Sequence, residues 1–373
     1  MFKILSIFCN IIAYFFSLNA VLAQLVERLL AKQKAAGSRP AYRTNQTNKR
    51  KYFFVNTRLI TCSFLFLASC GGGSSQSNNN SLPEVIEGEE TCISAGINTQ
   101  RCTFTHNNLE RFYFIYKPKS LSQNNNVPLL FALHGYGSSA VFHKSYTQYE
   151  DIAEENQFIV VYPQGYMLET ILTNSSSHWK SGALNIGSDV DDVDFIDTVI
   201  GFVEEKENID PDRIYSSGMS NGGFMSYHLA CNLSQKIAAI ASVTGSMSRE
   251  TLSDCLPSHP MSILQIHGLQ DFTVPYGGNN TIGMESIDDV LDYWVNFNDC
   301  NPERLIAVAD YPNEKGSIDF INYDSCLNDV EISLIRIPVM NHTWPALNRF
   351  NISASDEVWN FLSQFDINGK IIE

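Results

Sequence analysis

The chain has 373 residues, 44% of them hydrophobic and 12% aromatic, which is enough apolar material for one large domain or two small ones. Its net charge of −15 is unevenly distributed, because residues 1–70 hold 10 of the 25 lysines and arginines but 1 of the 40 acidic residues. The remainder has 15 basic and 39 acidic side chains, a net charge of −24. A surface this acidic favours solubility and repels nucleic acid, so no nucleic acid partner is expected.

The chain begins with the pattern of a targeting signal. The apolar run "LITCSFLFLAS" at 59–69 follows basic residues, ends in small ones and is too short to span a bilayer. The letters "LASC" at 67–70 resemble the lipobox of bacterial lipoproteins, which predicts lipidation of Cys70. A plain secretion signal with a chance cysteine is the alternative. In either case, residues 1–70 are interpreted as a targeting region.

The upstream part of this region indicates a later start of translation. The stretch "AQLVERLLAKQKAAGSRPA" resembles translated transfer-RNA sequence, so we expect translation to begin near Val55 or Leu59. The apolar run at 4–23 leaves a second interpretation, in which that run is itself the signal and is cleaved after Ala23.

Cysteines are frequent in the predicted folded domain, residues 90–373, which a Gly-, Ser- and Asn-rich tether at 71–89 joins to the signal. Six cysteines without a CxxC pair predict disulfides in an oxidising compartment rather than a metal site, with free buried thiols as the alternative. Neighbours in sequence are the favoured partners: Cys92 with Cys102, Cys231 with Cys255, and Cys300 with Cys326. The protein is therefore predicted to be secreted or lipid-anchored to the bacterial cell envelope, with the anchor as its only membrane contact.

Short apolar runs alternate with helical patterns through the domain. The predicted strands are "ERFYFIYKP", "VPLLFALHG", "FIVVYPQG", "RIYSS", "IAAIASVTG", "MSILQIHG" and "VEISLIRIP". The predicted helices are "AVFHKSYTQYEDIAEEN" and segments near 192–207, from 221, near 284–298 and near 355–365. This alternation predicts an α/β fold in a single domain, with a mostly parallel central sheet and helices on both faces.

Polar motifs follow several of these strands, where ligands bind in parallel sheets. In "SGMSNGG", glycines flank Ser220 between a strand and a helix, the pattern of a nucleophile elbow. A serine needs a base and an orienting acid, which this fold supplies in the order serine, acid, histidine. His342 is the histidine downstream of the acid candidates, and Asp271 lies in a loop just past a strand. His267 and His228 are rejected as the base.

An attacked carbonyl also requires donors for the oxyanion that develops on it. The amide of Asn221, next to the serine, is the first candidate. The second is the amide of Tyr136 in "LHGYG", where flanking glycines suit backbone donation; a plain glycine turn is the alternative.

Together these motifs resemble the bacterial family of polyhydroxybutyrate depolymerases and feruloyl esterases, α/β-hydrolases related to carbohydrate esterase family 1. The resemblance spans about 110–365 and rests on "LHGYGSSA", "DDVDFI", "IDPDRIYSSGMSNGGFMSYHLAC", "HGLQDFTVPYGG" and "NHTWP". It implies the α/β-hydrolase fold, with Ser220 as nucleophile, Asp271 as orienting acid and His342 as base.

The sequence departs from the family around this histidine, where Asn341 and Ala346 replace the usual glycines. Trp344 and Trp179 are candidates for lining a substrate pocket, with a core or lid role as the alternative. The acidic run before the helix near 192–207 resembles the family's, and we expect Asp192 and Asp194 to cap that helix.

The expected function is a serine esterase that works through an acyl-enzyme intermediate without a metal or cofactor. Its expected partner is an ester substrate, either feruloyl or acetyl groups on polysaccharide or a polyhydroxyalkanoate. A peptidase of the same fold and an inactive cell-surface binding protein are the alternatives.

Overall fold

The computed structural model describes residues 89–121, 126–168, 176–182, 188–310 and 317–372, and the structural statements below concern these ranges. The predicted lipidation at Cys70, the targeting region and all but the last residue of the predicted tether lie outside them.

One large mixed sheet forms the centre of the described chain, with eleven strands in the order β1-β2-β3-β5-β4-β8-β9-β10-β13-β12-β11. Its strands are β1 (Thr91–Gly96), β2 (Thr99–His106), β3 (Leu109–Tyr116), β4 (Val127–Leu133), β5 (Ile159–Pro163), β8 (Ile209–Met219), β9 (Ile237–Val243), β10 (Ser262–Gly268), β11 (Leu305–Asp310), β12 (Ser317–Tyr323) and β13 (Ile332–Ile337). Two small hairpins complete the strands: β6 (Tyr166–Leu168) with β7 (Ser176–His178), and β14 (Phe365–Asp366) with β15 (Gly369–Lys370).

The middle of the sheet is parallel. Strands β5, β4, β8, β9, β10 and β13 pair in parallel, and antiparallel strands flank them on both sides. Every residue of β4, β5, β9 and β10 is buried, which explains their near-continuous apolar sequences. Because parallel strands point the same way, the loops after β4, β8, β10 and β13 all lie at the edge of the sheet formed by the carboxyl ends of these strands.

Helices cover both faces of this sheet. They are α1 (Ala140–Thr147), α2 (Tyr149–Asn156), α3 (Asp192–Lys206), α4 (Asn221–Asn232), α5 (Arg249–Ser253), α6 (Ile287–Phe297), α7 (Leu347–Phe350) and α8 (Ala354–Leu362). Side chains of α3, α4 and α6 pack in one hydrophobic cluster, and those of α1, α2 and α8 pack in a second. The predicted fold class is therefore confirmed.

The predicted helix "AVFHKSYTQYEDIAEEN" is two helices in the structure. Gln148 adopts a left-handed conformation with φ 54° and ψ 38°, which ends α1 and starts α2 in a new direction. The break allows α1 to lie beside the loop after β13, as described below.

All three predicted disulfides are present, joining Cys92 to Cys102, Cys231 to Cys255 and Cys300 to Cys326. The second connects the last turn of α4 to the loop after α5, and the third connects the loop after α6 to the segment after β12. In the described ranges, no helix is both long enough and apolar enough to traverse a bilayer.

Burial of His143 on α1 makes stability depend on pH. The side chain is 2% exposed, and its ring lies edge-on to Trp344 with centroids 5.6 Å apart. Burial, together with a smaller effect of nearby His134, lowers the pKa of His143 to about 3. The unfolded chain, where a histidine pKa is about 6.5, therefore binds this proton more tightly.

We accordingly expect the free energy of unfolding to fall as the pH drops below about 6.5. His143 contributes about 2 kcal/mol of this loss between pH 7 and pH 5. His143→Gln cannot titrate, and its stability should depend on pH less by about that amount. Urea unfolding at the two pH values measures the difference, and an equal pH dependence in both proteins would contradict the assignment.

Candidate active site

Ser220 occupies a strained turn between β8 and α4. Its φ of 56° and ψ of −120° lie outside the regions that residues with a side chain normally adopt. The turn is held from both sides, since Ser220 N–H donates to Val243 O at 2.9 Å and Phe224 N–H donates to Ser220 O at 2.9 Å. This geometry agrees with the nucleophile elbow predicted from the glycine spacing.

The glycines around Ser220 are required by close backbone contacts. A Cβ on Gly218 would lie 2.3 Å from the carbonyl carbon of Gly222. A Cβ on Gly222 would lie 2.1 Å from Leu133 O, the last residue of β4. Helix α4 can therefore begin directly above β4 and β8 because no side chain separates them.

Asp271 and His342 meet on the loops after β10 and β13. His342 Nδ1 donates to Asp271 Oδ2 at 2.7 Å, and the two side chains are 21% and 0% exposed. Since β8, β10 and β13 are parallel, this pair lies at the same edge of the sheet as Ser220. Because Nδ1 carries the proton in this hydrogen bond, Nε2 is left with a free lone pair.

The carboxylate of Asp271 is buried but satisfied by donors. Its Oδ1 accepts the backbone N–H groups of Thr273 and Val274, each at 2.9 Å. Burial alone would raise the pKa of Asp271, but the hydrogen bonds from His342 and Val274 outweigh it and hold the pKa below its ordinary value. Asp271 is therefore ionised at neutral pH and can stabilise a positive charge on His342.

The loop that carries His342 is fixed on both sides. Before it, Gln270 N–H donates to Met340 O at 3.1 Å. After it, Tyr146 from α1 accepts the Trp344 N–H at 3.0 Å and shares a hydrogen bond of 2.9 Å with the Thr343 hydroxyl. Tyr146 was not identified from the sequence, because its contact joins residues 197 apart.

The two predicted oxyanion donors lie on the loop after β4 and at the start of α4. The turn at Tyr136 is closed by Ser138 N–H donating to Gly135 O at 3.1 Å, and Gly137 has the positive φ, 68°, that such a turn requires. The amide of Asn221 belongs to the first residue of a helix, which has no intrahelical acceptor.

The side chain of Asn221 is bound to the backbone of Trp179. Its Oδ1 accepts the Trp179 N–H at 2.7 Å, and its Nδ2 donates to Trp179 O at 3.1 Å. The same Nδ2 lies 3.1 Å from Ser181 Oγ. Residues 179–181 therefore cover the start of α4 and fix its first residue.

The two tryptophans that were candidates for lining a pocket are buried, with Trp179 1% and Trp344 5% exposed, which favours the alternative of a core role. The indole N–H of Trp179 donates to His134 O at 2.8 Å, and that of Trp344 donates to Ser355 Oγ at 3.1 Å. Both indole N–H groups are therefore satisfied inside the protein.

Neither Asp192 nor Asp194 caps α3, contrary to the prediction. The cap is Asp191, whose Oδ1 accepts the Asp194 N–H at 3.0 Å. Asp192 is fully buried and pairs with Arg111 at 2.6 Å, while its other oxygen accepts the Lys180 N–H at 2.8 Å. The sequence showed the acidic run but not the distant arginine that neutralises one of its members.

The other histidines near the site have partners of their own. His267 is fully buried, with Nε2 2.9 Å from Val274 O and Nδ1 2.9 Å from the side chain of Gln265. His228 lies on α4 with Nδ1 3.0 Å from the Thr251 hydroxyl. Both observations agree with rejecting them as the base.

One group in the described ranges has side chains spaced closely enough to hold a metal ion: Glu90 with Cys92 and Cys102. The two cysteines form a disulfide, so they do not offer thiolate ligands there.

Comparisons with known proteins show which families and enzymes this chain is similar to. Residues 119–283 match the phospholipase/carboxylesterase family. The bifunctional acetylxylan esterase/xylanase of Neocallimastix patriciarum is 25% identical over 260 residues, covering 69% of this chain and 34% of that protein. Feruloyl esterase B of Piromyces equi is 26% identical, covering 67% of this chain and 44% of that protein.

Feruloyl esterase D of Neurospora crassa is 27% identical over 275 residues, covering 68% of this chain and 87% of that protein. The chain spans less than half of the length of the first two relatives. Among solved structures, the acetyl xylan esterase from Aspergillus awamori has a TM-score of 0.46 and 14% identity, covering 74% of this chain and 99% of that one.

The predicted resemblance to feruloyl esterases is thus confirmed, and none of the three relatives is named as a polyhydroxybutyrate depolymerase. The chain has the α/β-hydrolase fold, and its residues 119–283 carry the likeness to the phospholipase/carboxylesterase family.

Proposed function

We propose that this protein is an exported serine esterase that hydrolyses carboxylic esters through an acyl-enzyme intermediate. The observation that carries the proposal is the Asp271–His342 hydrogen bond of 2.7 Å at the edge of the sheet where Ser220 occupies its strained turn. A nucleophile, a base and an orienting acid on three neighbouring loops are the groups that acyl transfer requires.

In this mechanism, Ser220 Oγ attacks the ester carbonyl while His342 Nε2 accepts the hydroxyl proton. Asp271 holds the imidazole in the required tautomer and stabilises the imidazolium. The oxyanion accepts hydrogen bonds from the amides of Asn221 and Tyr136. His342 then donates its proton to the leaving alcohol, and a water molecule activated by the same histidine hydrolyses the acyl-enzyme.

The relatives support feruloyl or acetyl esters of polysaccharide as the substrate class. They offer no support for polyhydroxyalkanoates, which stay an outcome for the assay to decide. The three disulfides support an oxidising, exported location for the domain proposed at 90–373. Lipid anchoring through Cys70 is part of the same proposal.

The nucleophile can be tested by covalent labelling. We expect a fluorophosphonate to label Ser220 in the wild type and to leave Ser220→Ala unlabelled, with hydrolysis of methyl ferulate lost in parallel. Ser253→Ala, which removes an exposed hydroxyl on α5, is the matched control and should behave as the wild type. Labelling would be read by peptide mass spectrometry.

A folded protein in which Ser220 does not react would instead support a binding protein. Turnover of 3-hydroxybutyrate oligomers in preference to methyl ferulate would move the substrate class to polyesters, and cleavage of peptides would indicate a peptidase.

The orienting acid has its own test. Asp271→Asn keeps the size of the side chain but removes the charge that fixes the Nδ1–H tautomer of His342. We expect kcat to fall by about 10⁴-fold. Steady-state kinetics would measure the loss, and an unchanged circular dichroism spectrum would show that the variant is folded. A fall in kcat of less than tenfold would assign the role of orienting acid to another residue.

Tyr146 is expected to act on catalysis through the loop of His342. Tyr146→Phe removes only the hydroxyl that holds Thr343 and Trp344, so kcat should fall by about tenfold with KM nearly unchanged. Tyr293→Phe removes a similar hydrogen bond, to Cys255 O at 2.8 Å, and should leave kcat unchanged. Equal kcat values for the two variants would show that the Tyr146 hydroxyl contributes to stability alone.

A further inference from the structure

His134 has three polar contacts through its ring, all inside the protein. Its Nε2 lies 2.9 Å from the N–H of Gly165 and 3.1 Å from the side-chain amide of Gln164. Its Nδ1 lies 2.8 Å from Gly135 O. The side chain is fully buried between the loop after β4 and the segment after β5.

These partners determine the tautomer of the ring. The Gly165 N–H is a donor only, so Nε2 must accept, and Gly135 O is an acceptor only, so Nδ1 must donate. Burial lowers the pKa of His134 to about 4, against smaller opposing effects of the Gly135 hydrogen bond and of Asp192. The neutral Nδ1–H form is therefore present at neutral pH, and its proton is directed at one carbonyl.

That carbonyl belongs to the same peptide unit as the N–H of Tyr136. In a trans peptide the C=O and N–H vectors are antiparallel, so fixing Gly135 O also fixes the direction of the Tyr136 N–H. No cis peptide occurs in the described ranges. We propose that His134 is a positioning residue that orients the Tyr136 amide as an oxyanion donor; this inference rests on the proposed esterase function.

The neighbouring contacts place this peptide against the nucleophile. A Cβ on Gly135 would lie 3.5 Å from Ser220 Cβ and 3.4 Å from Met219 O, so Gly135 packs directly on the elbow. On its other side, His134 O accepts the indole N–H of Trp179 at 2.8 Å. Since the backbone of Trp179 binds the Asn221 side chain, His134 connects the loop that carries Tyr136 with the start of α4, which carries Asn221.

Two substitutions separate the roles of the two ring nitrogens. The side-chain amide of asparagine can occupy the position of Nδ1 and donate to Gly135 O, but it lacks the Nε2 acceptor. The amide oxygen of glutamine can replace the Nε2 acceptor, but the donor to Gly135 O is lost. His134→Asn and His134→Gln are therefore a matched pair, each retaining one half of the contacts.

We expect His134→Gln to lower kcat for methyl ferulate by about 10- to 100-fold with KM within about threefold of the wild type, as for a weakened oxyanion donor. Affinity for phenylboronic acid, whose tetrahedral adduct imitates the oxyanion, should fall by a similar factor. His134→Asn should keep kcat within about threefold of the wild type while lowering the temperature of unfolding.

The reverse order, with His134→Asn inactive and His134→Gln active, would overturn the proposal and give His134 a purely structural role through Nε2. Full activity of His134→Gln would overturn it too, because the turn hydrogen bond from Ser138 would then be sufficient.

A measurement that needs no turnover separates this proposal from the esterase assignment. In protein labelled with ¹⁵N-tyrosine, the Tyr136 amide resonance, assigned with Tyr136→Phe, should shift in His134→Gln and stay near its wild-type position in His134→Asn. An unchanged resonance in His134→Gln would refute the positioning role. If the wild type is inactive but His134→Gln still shows the expected shift, the esterase function would be refuted and the role of His134 retained.

Discussion

The candidate site depends on backbone segments that approach each other more closely than side chains allow. At the elbow, Gly222 lies against the carbonyl that ends β4, and across the sheet Gly268, at the end of β10, lies against Met340 O in the loop of His342, where a Cβ would be 2.0 Å away. Each contact joins the end of one parallel strand to the segment that follows another. The three polar side chains can therefore come from distant parts of the chain and still share one edge of the sheet.

The buried charge at this edge is tolerated because every oxygen has a donor. An unpaired carboxylate in such a place would be protonated. Asp271 stays ionised because two backbone N–H groups and one imidazole donate hydrogen bonds to its oxygens. A second buried carboxylate, Asp192, is neutralised by Arg111, whose guanidinium also lies 3.7 Å from the ring centroid of Phe195. One charge faces the proposed chemistry, whereas the other fixes the segment at 179–181 that covers the start of α4.

Much of the architecture could be predicted because the central strands are buried on both faces and so have near-continuous apolar sequences. Strands β1, β2, β11 and β12 of the large sheet were not predicted. Most residues of β1 and β11 are exposed, and β2 and β12 are only partly buried, so none of the four has a continuous apolar sequence. The glycine spacing at the elbow and the order of serine, acid and histidine indicated the candidate site. The roles of Tyr146, His134 and Arg111 could not be predicted, since each depends on a contact with a residue remote in sequence that no local pattern encodes.

Two of the four tryptophans adjoin the candidate site: the backbone of Trp179 binds the Asn221 side chain, and Trp344 lies just after His342 in the same loop. Both indoles are shielded from solvent, so their ultraviolet emission should respond to a change in local polarity or packing when that loop moves. The protein thus contains intrinsic optical reporters next to two parts of the candidate site. Occupancy of the site could be followed in real time with unmodified protein and a colourless ligand.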